Sequence, residues 1–250
     1  MNATLPTTLL GVWAHPDDEA YLSAGLMAAM RAARRRVVVV TATHGEHGTA
    51  DPIAWPPDRL APLRERELSE SLAAVDVHEH HWLTYQDGTL ADVDPAAGAA
   101  HIVGLLEAVS PDVVVTFGPD GMTGHPDHQA VSAWVTEACD QVPASPRIWH
   151  ATQTPEFHRR WGPLNESVGI WLDPATVPST PMNELVWSLP HSRNLRNKKH
   201  AALRAHASQT GPLRSLVGES TYRDWWSGEY FVEFHPVRNN SMVGSLCAGH

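Results

Sequence analysis

Residues 8–20 have the sequence TLLGVWAHPDDEA, in which a short apolar run is followed directly by a histidine, a proline and three acidic residues. The apolar run, residues 8–14, predicts a buried strand, and the proline predicts the first turn of a helix over residues 16 to about 34. A strand that leads straight into a helix is the repeating unit of α/β folds. The polar residues at this junction are therefore expected at the carboxyl end of a strand, where such folds bind ligands.

The junction has a counterpart later in the chain, GHPDH at residues 124–128. It follows a second apolar, β-branched run at residues 112–117 and again begins a predicted helix, residues 126–139. In a doubly wound sheet of order 3-2-1-4-5, the first and fourth strands are neighbours and the chain reverses direction between them. Topology is thus expected to bring the two strings together.

The remaining pattern predicts an α/β, Rossmann-like fold with a doubly wound, mostly parallel sheet flanked by helices. Further strands are predicted at residues 37–41, 80–84, 147–151, 168–172 and 229–234, and further helices at 63–75, 95–109 and 194–207, while residues 181–187 are left unassigned. We expect one domain over residues 1–250. It has a core over about 7–152, a less regular C-terminal elaboration over about 153–238 and a tail at 239–250.

The net charge, the apolar runs and the cysteine content argue against several classes of binding partner. The formal net charge of −10 argues against nucleic-acid and anionic-membrane binding, and we interpret the basic run at residues 34–36 as a solvated helix end. No apolar run reaches the length of a membrane span, and residues 1–8 lack the features of a signal peptide. The two cysteines, Cys139 and Cys247, form no disulfide framework, so a cytoplasmic protein is expected. A homo-oligomer is compatible with these features.

The two strings together predict a metal site. If His15 caps the first helix, the side chain of Asp18 at its third position points back to the same helix end. His125 and His128 have the same relation in the second string. Two histidines and one carboxylate form a known ligand set of catalytic zinc. The predicted ligands are His15, Asp18 and His128.

The remaining polar groups suit hydrolysis. Asp17, beside a ligand, is predicted to take a proton from water that the metal activates. His125 is predicted to stabilise an oxyanion and to protonate the leaving amine. Asp127 is predicted to hold the His125 imidazole in one tautomer.

Either string alone is also explained as an ordinary helix start, since proline and acidic residues favour that position. The placement of both strings at neighbouring strand ends is what favours a site. A dinucleotide cofactor is disfavoured because no GxGxxG follows the first strand, and because three carboxylates there would repel a pyrophosphate.

AHPDDE and HPDH, in this order, resemble the two signatures of the LmbE-like, or PIG-L, family of zinc-dependent N-deacetylases. The resemblance covers about the first 140 residues well and is sparser afterwards. It implies that His15, Asp18 and His128 bind zinc, with iron(II) as an alternative ion. It also implies that Asp17 is the general base and His125 the electrostatic or acid group.

Further matches to the family imply substrate contacts. The segment THGE at residues 43–46 resembles a TxGE loop, so Glu46 is expected to accept sugar hydroxyls. Arg64 is at the position of the arginine in an RxxE motif, and Asp87 follows the third strand as a sugar-binding aspartate does. Residues 199–209 resemble the family's helix near the C-terminus.

Each of these three matches has a simpler explanation. Arg64 and Glu67 are spaced to pair along a helix, and Asp87 with Gly88 forms a standard turn pair. Glu46 is then a solvated loop charge. The contacts remain expectations beside these alternatives.

The sequence therefore predicts a metal-dependent hydrolase that removes an acetyl group from an N-acetylglucosamine-like conjugate, a small-molecule N-acyl amino sugar. Thr123 departs from the pattern, because the mycothiol-type enzymes have a tyrosine there, and this leaves the substrate open. One alternative is an amidase acting on a larger conjugate, which a long pocket made by Trp55 and the segment after Pro155 would favour. Another is a non-catalytic sugar-binding protein with the same fold.

Overall fold

A computed structural model describes residues 3–234, which are built on a seven-stranded sheet of order β3-β2-β1-β4-β5-β7-β6. Its strands are β1 (Thr8–Trp13), β2 (Arg36–Thr43), β3 (Glu79–Tyr85), β4 (Val113–Phe117), β5 (Arg147–Thr152), β6 (Leu185–Ser188) and β7 (Tyr230–Phe234). The helices are α1 (Asp18–Leu22), α2 (Ala24–Ala32), α3 (Pro57–Ala74), α4 (Pro95–Val109), α5 (Gly121–Gly124), α6 (Pro126–Gln141), α7 (Pro155–Ser167), α8 (Arg193–Ala205), α9 (Ala207–Val217) and α10 (Glu219–Trp225).

The predicted strand order 3-2-1-4-5 is confirmed. Strands β1 to β5 are parallel, and β1 lies between β2 and β4, with Gly11 paired to Val39 on one side and Val115 on the other. β1, β2 and β4 are almost wholly buried because helices cover both faces of the sheet, which explains their continuous apolar sequences. The switch point therefore lies at the carboxyl ends of β1 and β4.

The helix expected after β1 is interrupted. It is divided at Ser23 into α1 and α2, and its N-cap is Asp17 rather than His15. Asp17 has a φ of 121°, a backbone conformation that side-chain-bearing residues seldom adopt. The predicted capping of the first helix by His15 is therefore wrong. In the second string the prediction is confirmed, since His125 is the N-cap of α6 and Pro126 its first residue.

The C-terminal part departs most from expectation. β7 pairs antiparallel with β5, and β6 antiparallel with β7, so this part extends the same sheet. The predicted strand at residues 168–172 is wrong, because this segment is a loop after α7, and the unassigned residues 181–187 include most of β6. α3 begins at Pro57, six residues earlier than predicted. The predicted tail at residues 239–250 lies outside the described residues.

The core lies on both faces of the sheet and is rich in large side chains. Trp13 and Phe117, from the two central strands, meet edge to face with ring centroids 5.1 Å apart. Cys139 is buried in α6 as a free thiol. Among residues 3–234 no helix has the length and apolar character that crossing a membrane requires.

Candidate active site

The switch point brings the two histidine strings into contact, as predicted. His15 follows β1, and His128 lies in the first turn of α6, which follows β4. The ring atoms His15 Nδ1 and His128 Nε2 are 3.2 Å apart, although the residues are separated by 113 positions. The adjacency of β1 and β4 in the sheet is the physical cause of this contact.

Asp18 completes a group of three potential metal ligands. Its Oδ1 lies 3.4 Å from His128 Nε2, and its Oδ2 lies 3.6 Å from His15 Nδ1. The His15 backbone N–H donates to Asp18 Oδ2 over 2.8 Å, which fixes the carboxylate beside the imidazole. Burial opposes ionisation here, but the neighbouring imidazoles of His128 and His15 hold the pKa of Asp18 well below its usual value. All three residues are buried and stay within reach of one ion.

The other face of the His15 ring is held by two carboxylates. His15 Nε2 lies 3.1 Å from Asp87 Oδ1 and 3.3 Å from Asp127 Oδ2. Asp127 also accepts hydrogen bonds from the backbone N–H groups of Gly88 and Leu90. A carboxylate on the far nitrogen of a ligand histidine orients the ring and raises its basicity.

This arrangement corrects the predicted role of Asp127. The structure places its carboxylate on His15 and not on the imidazole of His125. His125 Nδ1 instead accepts a hydrogen bond from the Asp127 backbone N–H at 3.1 Å, which is the capping contact of α6. Sequence reasoning missed this pairing because neighbours in a string were assumed to act on one another.

The two histidines of the second string stack and differ in environment. His128 Nδ1 donates to the Gly121 carbonyl over 2.9 Å, and its ring stacks on Phe117 with centroids 4.0 Å apart. His128 therefore presents Nε2 to His15 and Asp18. His125 is half-buried, and burial together with the charge of His15 lowers its pKa. A second group that could hold an ion, His15 with His125 and Asp127, shares only His15 with the first.

Asp17 is separate from the ligand cluster and faces an arginine. Its Oδ2 lies 3.4 Å from a guanidinium nitrogen of Arg64, and its backbone N–H donates to Glu19 Oε2 over 2.9 Å. Glu19 is fully buried and also accepts from Ser71 and bonds with His206. Burial raises the pKa of the Asp17 carboxyl to about 6, against the lowering effect of the Arg64 guanidinium.

The comparison with family models agrees with this geometry. Residues 10–139, more than half of the chain, match the PIG-L family model, described as GlcNAc-PI de-N-acetylase. The chain belongs to the PIG-L family. The matched range runs from β1 to α6 and includes both histidine strings.

Relatives along almost the whole chain agree with the assignment. A 1D-myo-inositol 2-acetamido-2-deoxy-alpha-D-glucopyranoside deacetylase of Acidothermus cellulolyticus is 32% identical over 262 aligned residues, covering 90% of this chain and 88% of its own length. Among solved structures, the N,N'-diacetylchitobiose deacetylase of Pyrococcus horikoshii superposes with a TM-score of 0.62 at 21% identity, over 95% of this chain and 89% of that one. A deacetylase triple mutant of the teicoplanin pathway superposes with a TM-score of 0.66 at 16% identity, over 91% and 96%.

Of the three residues expected to contact substrate in this PIG-L protein, Arg64 and Asp87 lie at the cavity and Glu46 does not. Arg64 and Asp87 line the central cavity, but both are buried and already engaged. Arg64 donates to the carbonyls of Gly45 and Pro16. Glu46 does not line the cavity. One of its carboxylate oxygens accepts from the Asp87 N–H, and the other is buried without a partner.

The cavity above the cluster has a volume of about 460 Å³ and two contrasting sides. Its floor carries the histidines and carboxylates described above. Its wall comes largely from the C-terminal part, through the apolar side chains Phe157, Ile170, Trp171, Leu213 and Trp226. Residues after Pro155 thus contribute to the pocket as the amidase alternative requires, whereas Trp55 does not line it.

Sequence reasoning missed several polar residues of this cavity, and Tyr21 is one of them. It lies in α1, four residues after Asp17, and lines the cavity beside Leu22. The buried Tyr222 hydroxyl donates to the Tyr21 oxygen over 2.8 Å. The spacing of four residues, one helical turn from Asp17, is the signal that was available in the sequence.

Proposed function

We propose that the chain is a metal-dependent N-deacetylase that hydrolyses the acetamide of an N-acetylglucosamine-type sugar conjugate. The observation that supports this most is the convergence of His15, Asp18 and His128 in one cavity beside a further carboxylate, Asp17, which lies outside that cluster. The activity named for the relatives agrees with it. We also propose that residues 1–250 form one catalytic domain, since β6 and β7 join the sheet that carries the site.

The three ligand residues fit a Zn²⁺ ion. Donor atoms that share one tetrahedral ion at ordinary bond lengths lie about 3.3 Å apart. The nearest separations between the three side chains are 3.2, 3.4 and 3.6 Å, with the last two measured from different oxygens of the Asp18 carboxylate. Two imidazoles and a carboxylate also leave a coordination position for water or substrate, as catalytic sites require.

When bound, such an ion supplies Lewis acidity that polarises an amide carbonyl and lowers the pKa of water. Asp17 then takes the proton of the attacking water, because its carboxylate is next in sequence to a ligand and lies outside the ligand cluster. Arg64 positions Asp17 through their contact at 3.4 Å. Asp87 and Asp127 act on His15, holding its ring so that Nδ1 faces the ligand cluster.

His125 acts on the other side of the reacting amide. It lines the cavity and lies next to the ligand cluster without belonging to the proposed ligand set. Its imidazole is suited to donate a hydrogen bond to the developing oxyanion and a proton to the leaving amine. Burial and the charge of His15 lower the pKa of His125, so its neutral ring donates a hydrogen bond to the oxyanion, and it protonates the amine only after it takes up the proton that Asp17 removed from water.

Release of free amine from metal-loaded protein tests the proposal, with N-acetylglucosaminyl-inositol, N,N'-diacetylchitobiose and N-acetylglucosamine as substrates. Asp17→Asn is expected to retain the metal and to lose activity by a factor of about 10²–10⁴. Asp18→Asn is the matched control and is expected to lose metal, measured by elemental analysis. Normal turnover in Asp17→Asn, or absence of amine release by the wild type, would falsify the proposal.

A second candidate is an amidase that acts on a larger conjugate. The apolar wall formed by Phe157, Ile170 and Trp171 favours it, because an N-acetyl sugar alone offers few apolar groups to such a surface. The same chemistry at His15, Asp18 and His128 serves both candidates. A larger amide conjugate that is hydrolysed faster than the inositol conjugate would favour the amidase.

A further inference from the structure

A second cavity, of about 260 Å³, lies outside the candidate active site and has a strongly basic lining. Its charged or titratable side chains are Arg193, Arg196, Arg223, His191, His200 and Asp224. Three arginines thus face one carboxylate, in a chain whose formal net charge is −10. A cluster of positively charged side chains in a chain of negative net charge needs a local explanation.

The three arginines have no acidic partner. Within residues 3–234, no carboxylate oxygen lies within 4.0 Å of a guanidinium nitrogen of Arg193, Arg196 or Arg223. Arg196 donates to His191 Nδ1 over 2.7 Å, and Arg223 donates to the Asn197 side-chain carbonyl, so neither of these partners supplies a negative charge. The one carboxylate of the lining, Asp224, instead lies 3.5 Å from Arg160. The positive charge of the cavity is therefore not neutralised from within.

One guanidinium donor is also buried without a partner. Arg196 is half-buried, and within residues 3–234 its Nε has no hydrogen-bond acceptor. A buried donor of this kind costs free energy unless an acceptor is supplied. Arg196 also lines the cavity, so an anion bound there would lie beside its guanidinium group.

The start of α8 breaks a general rule of helix design in the same place. The N-terminus of a helix carries partial positive charge and favours acidic residues, yet the first turn of α8 contains none. Arg193 is its first residue, and Arg196 follows one turn later. The Ser192 side chain caps the helix by accepting the Leu195 N–H, but it carries no charge, so the two arginines still repel the helix dipole unless an anion lies beside the helix start.

We propose that this cavity binds an anion of the phosphate class, as free phosphate or as a phosphomonoester. A planar guanidinium can donate two parallel N–H bonds to two oxygens of a phosphate, and the N-terminus of α8 adds a dipole of the right sign. The volume admits a phosphate with a small organic group attached. Trp226 lines this cavity and also the catalytic cavity, so the ligand contacts a residue of the catalytic wall.

Isothermal titration at constant ionic strength, in a buffer without phosphate or sulfate, tests this site. The probes are inorganic phosphate and glycerol 3-phosphate, each with metal-loaded protein and again with a chelator. Binding that the chelator abolishes belongs to the metal, whereas the proposed site is expected to bind one anion per chain in both conditions. Glycerol 3-phosphate binding tighter than phosphate identifies a phosphomonoester as the ligand, and equal affinity identifies free phosphate.

Substitutions locate the binding. Arg196→Gln is expected to weaken the affinity about tenfold or more, the usual effect of losing a hydrogen bond to a charged group. Arg193→Gln, at an exposed residue, gives the same direction if Arg196→Gln does not fold. Lys198→Gln is the matched control, because it removes one positive charge from α8 without touching the cavity. Absence of saturable binding, or equal weakening by Lys198→Gln, would overturn the proposal.

Discussion

At the scale of single residues, the site depends on an unfavourable backbone conformation at Asp17. A φ of 121° at a residue with a side chain costs about 1–3 kcal/mol and persists only where the surroundings enforce it. Here Glu19 accepts the Asp17 N–H, and Arg64 donates to the carbonyl of Pro16. The conformation separates the Asp17 carboxylate from that of Asp18, so that neighbouring residues serve different partners.

The hydrogen bond between the hydroxyls of Tyr21 and Tyr222 leads to a prediction, because one hydroxyl donates in it and the other accepts. Tyr222 is fully buried and uses its hydrogen on the Tyr21 oxygen, which leaves the Tyr21 hydrogen for an acceptor in the cavity. Tyr21→Phe is therefore expected to lower kcat/KM for amide hydrolysis about tenfold, the usual effect of losing one substrate hydrogen bond. Steady-state kinetics on the wild type and the variant measure this.

Tyr222→Phe is the matched control for that prediction. It keeps the Tyr21 hydroxyl, so kcat/KM should stay close to the wild-type value. If the two hydroxyls had only a structural role, both substitutions would change the stability of the fold to a similar extent. Both would then change kcat/KM little. Equal kcat/KM losses in both variants would contradict the prediction.

At this scale the sequence was sufficient to predict which types of residue belong to the site, but not which of them contact one another. Strand order placed His15, Asp18 and His128 together, although the helix start predicted for the first string was wrong. The partner of Asp127 was wrong, because the contact with His15 depends on how far α6 lies from β1. That distance is set by side-chain packing and leaves no periodic signal in the sequence.

At the scale of secondary structure, the division of the first helix has a distant cause. The Glu229 carboxylate, just before β7, accepts the N–H groups of Gly25 and Leu26 and so caps the start of α2. Residues 16–34 have a continuous helical pattern, and nothing local in them indicates a break at Ser23. Sequence patterns show local preference, whereas this helix start is created by a residue about two hundred positions away.

The buried ion pair of Lys199 and Glu229 leads to a prediction about stability. Lys199 Nζ lies 2.8 Å from Glu229 Oε1 and also donates to the carbonyls of Ala20 and Tyr21. Lys199→Met leaves the Glu229 charge buried without its cation, which should lower the free energy of unfolding by about 3–5 kcal/mol. Urea denaturation measures the loss.

Two further variants test whether the effect belongs to the pair. Lys198→Met removes a neighbouring, less buried lysine and should change the free energy of unfolding by less than about 0.5 kcal/mol. Adding Glu229→Gln to Lys199→Met should cost less than the sum of the two single losses, because the second change removes an already unpaired charge. Strict additivity would show that the two side chains act independently.

At the scale of the whole molecule, one sheet joins a regular half to an irregular one. The parallel strands β1–β5 are apolar runs that alternate regularly with helical segments along the chain. The sequence therefore predicted them almost completely. β7 was predicted as a strand at residues 229–234 but not placed in the sheet, and β6 was left unassigned, because their pairing joins segments more than forty residues apart through loops and helices of weak periodicity. The chemistry of the floor was therefore predictable, and the shape of the cavity wall was not.

Buried histidines make the stability of the whole fold depend on pH. His150, in β5, is buried with its ring stacked on Phe234 at 4.8 Å, and among the described residues its Nε2 has no hydrogen-bond partner. Burial lowers the pKa of His150 from 6.5 to about 4, and that of His80 likewise to about 4. Between pH 6.5 and pH 4, these two histidines bind protons in the unfolded chain but not in the folded protein. The free energy of unfolding should therefore fall as the pH decreases from 6.5 to 4.

His150→Phe isolates one of these contributions while keeping an aromatic ring against Phe234. A shift of this size at one histidine corresponds to about 3 kcal/mol. The wild type should lose about that much more stability than the variant between pH 7 and pH 4, measured by urea denaturation with a chelator present. Because both proteins share His80 and the histidines of the site, the difference between their pH profiles reports His150 alone. Parallel profiles would mean that the folded protein accepts the proton at His150, which contradicts the burial of that ring in the sheet.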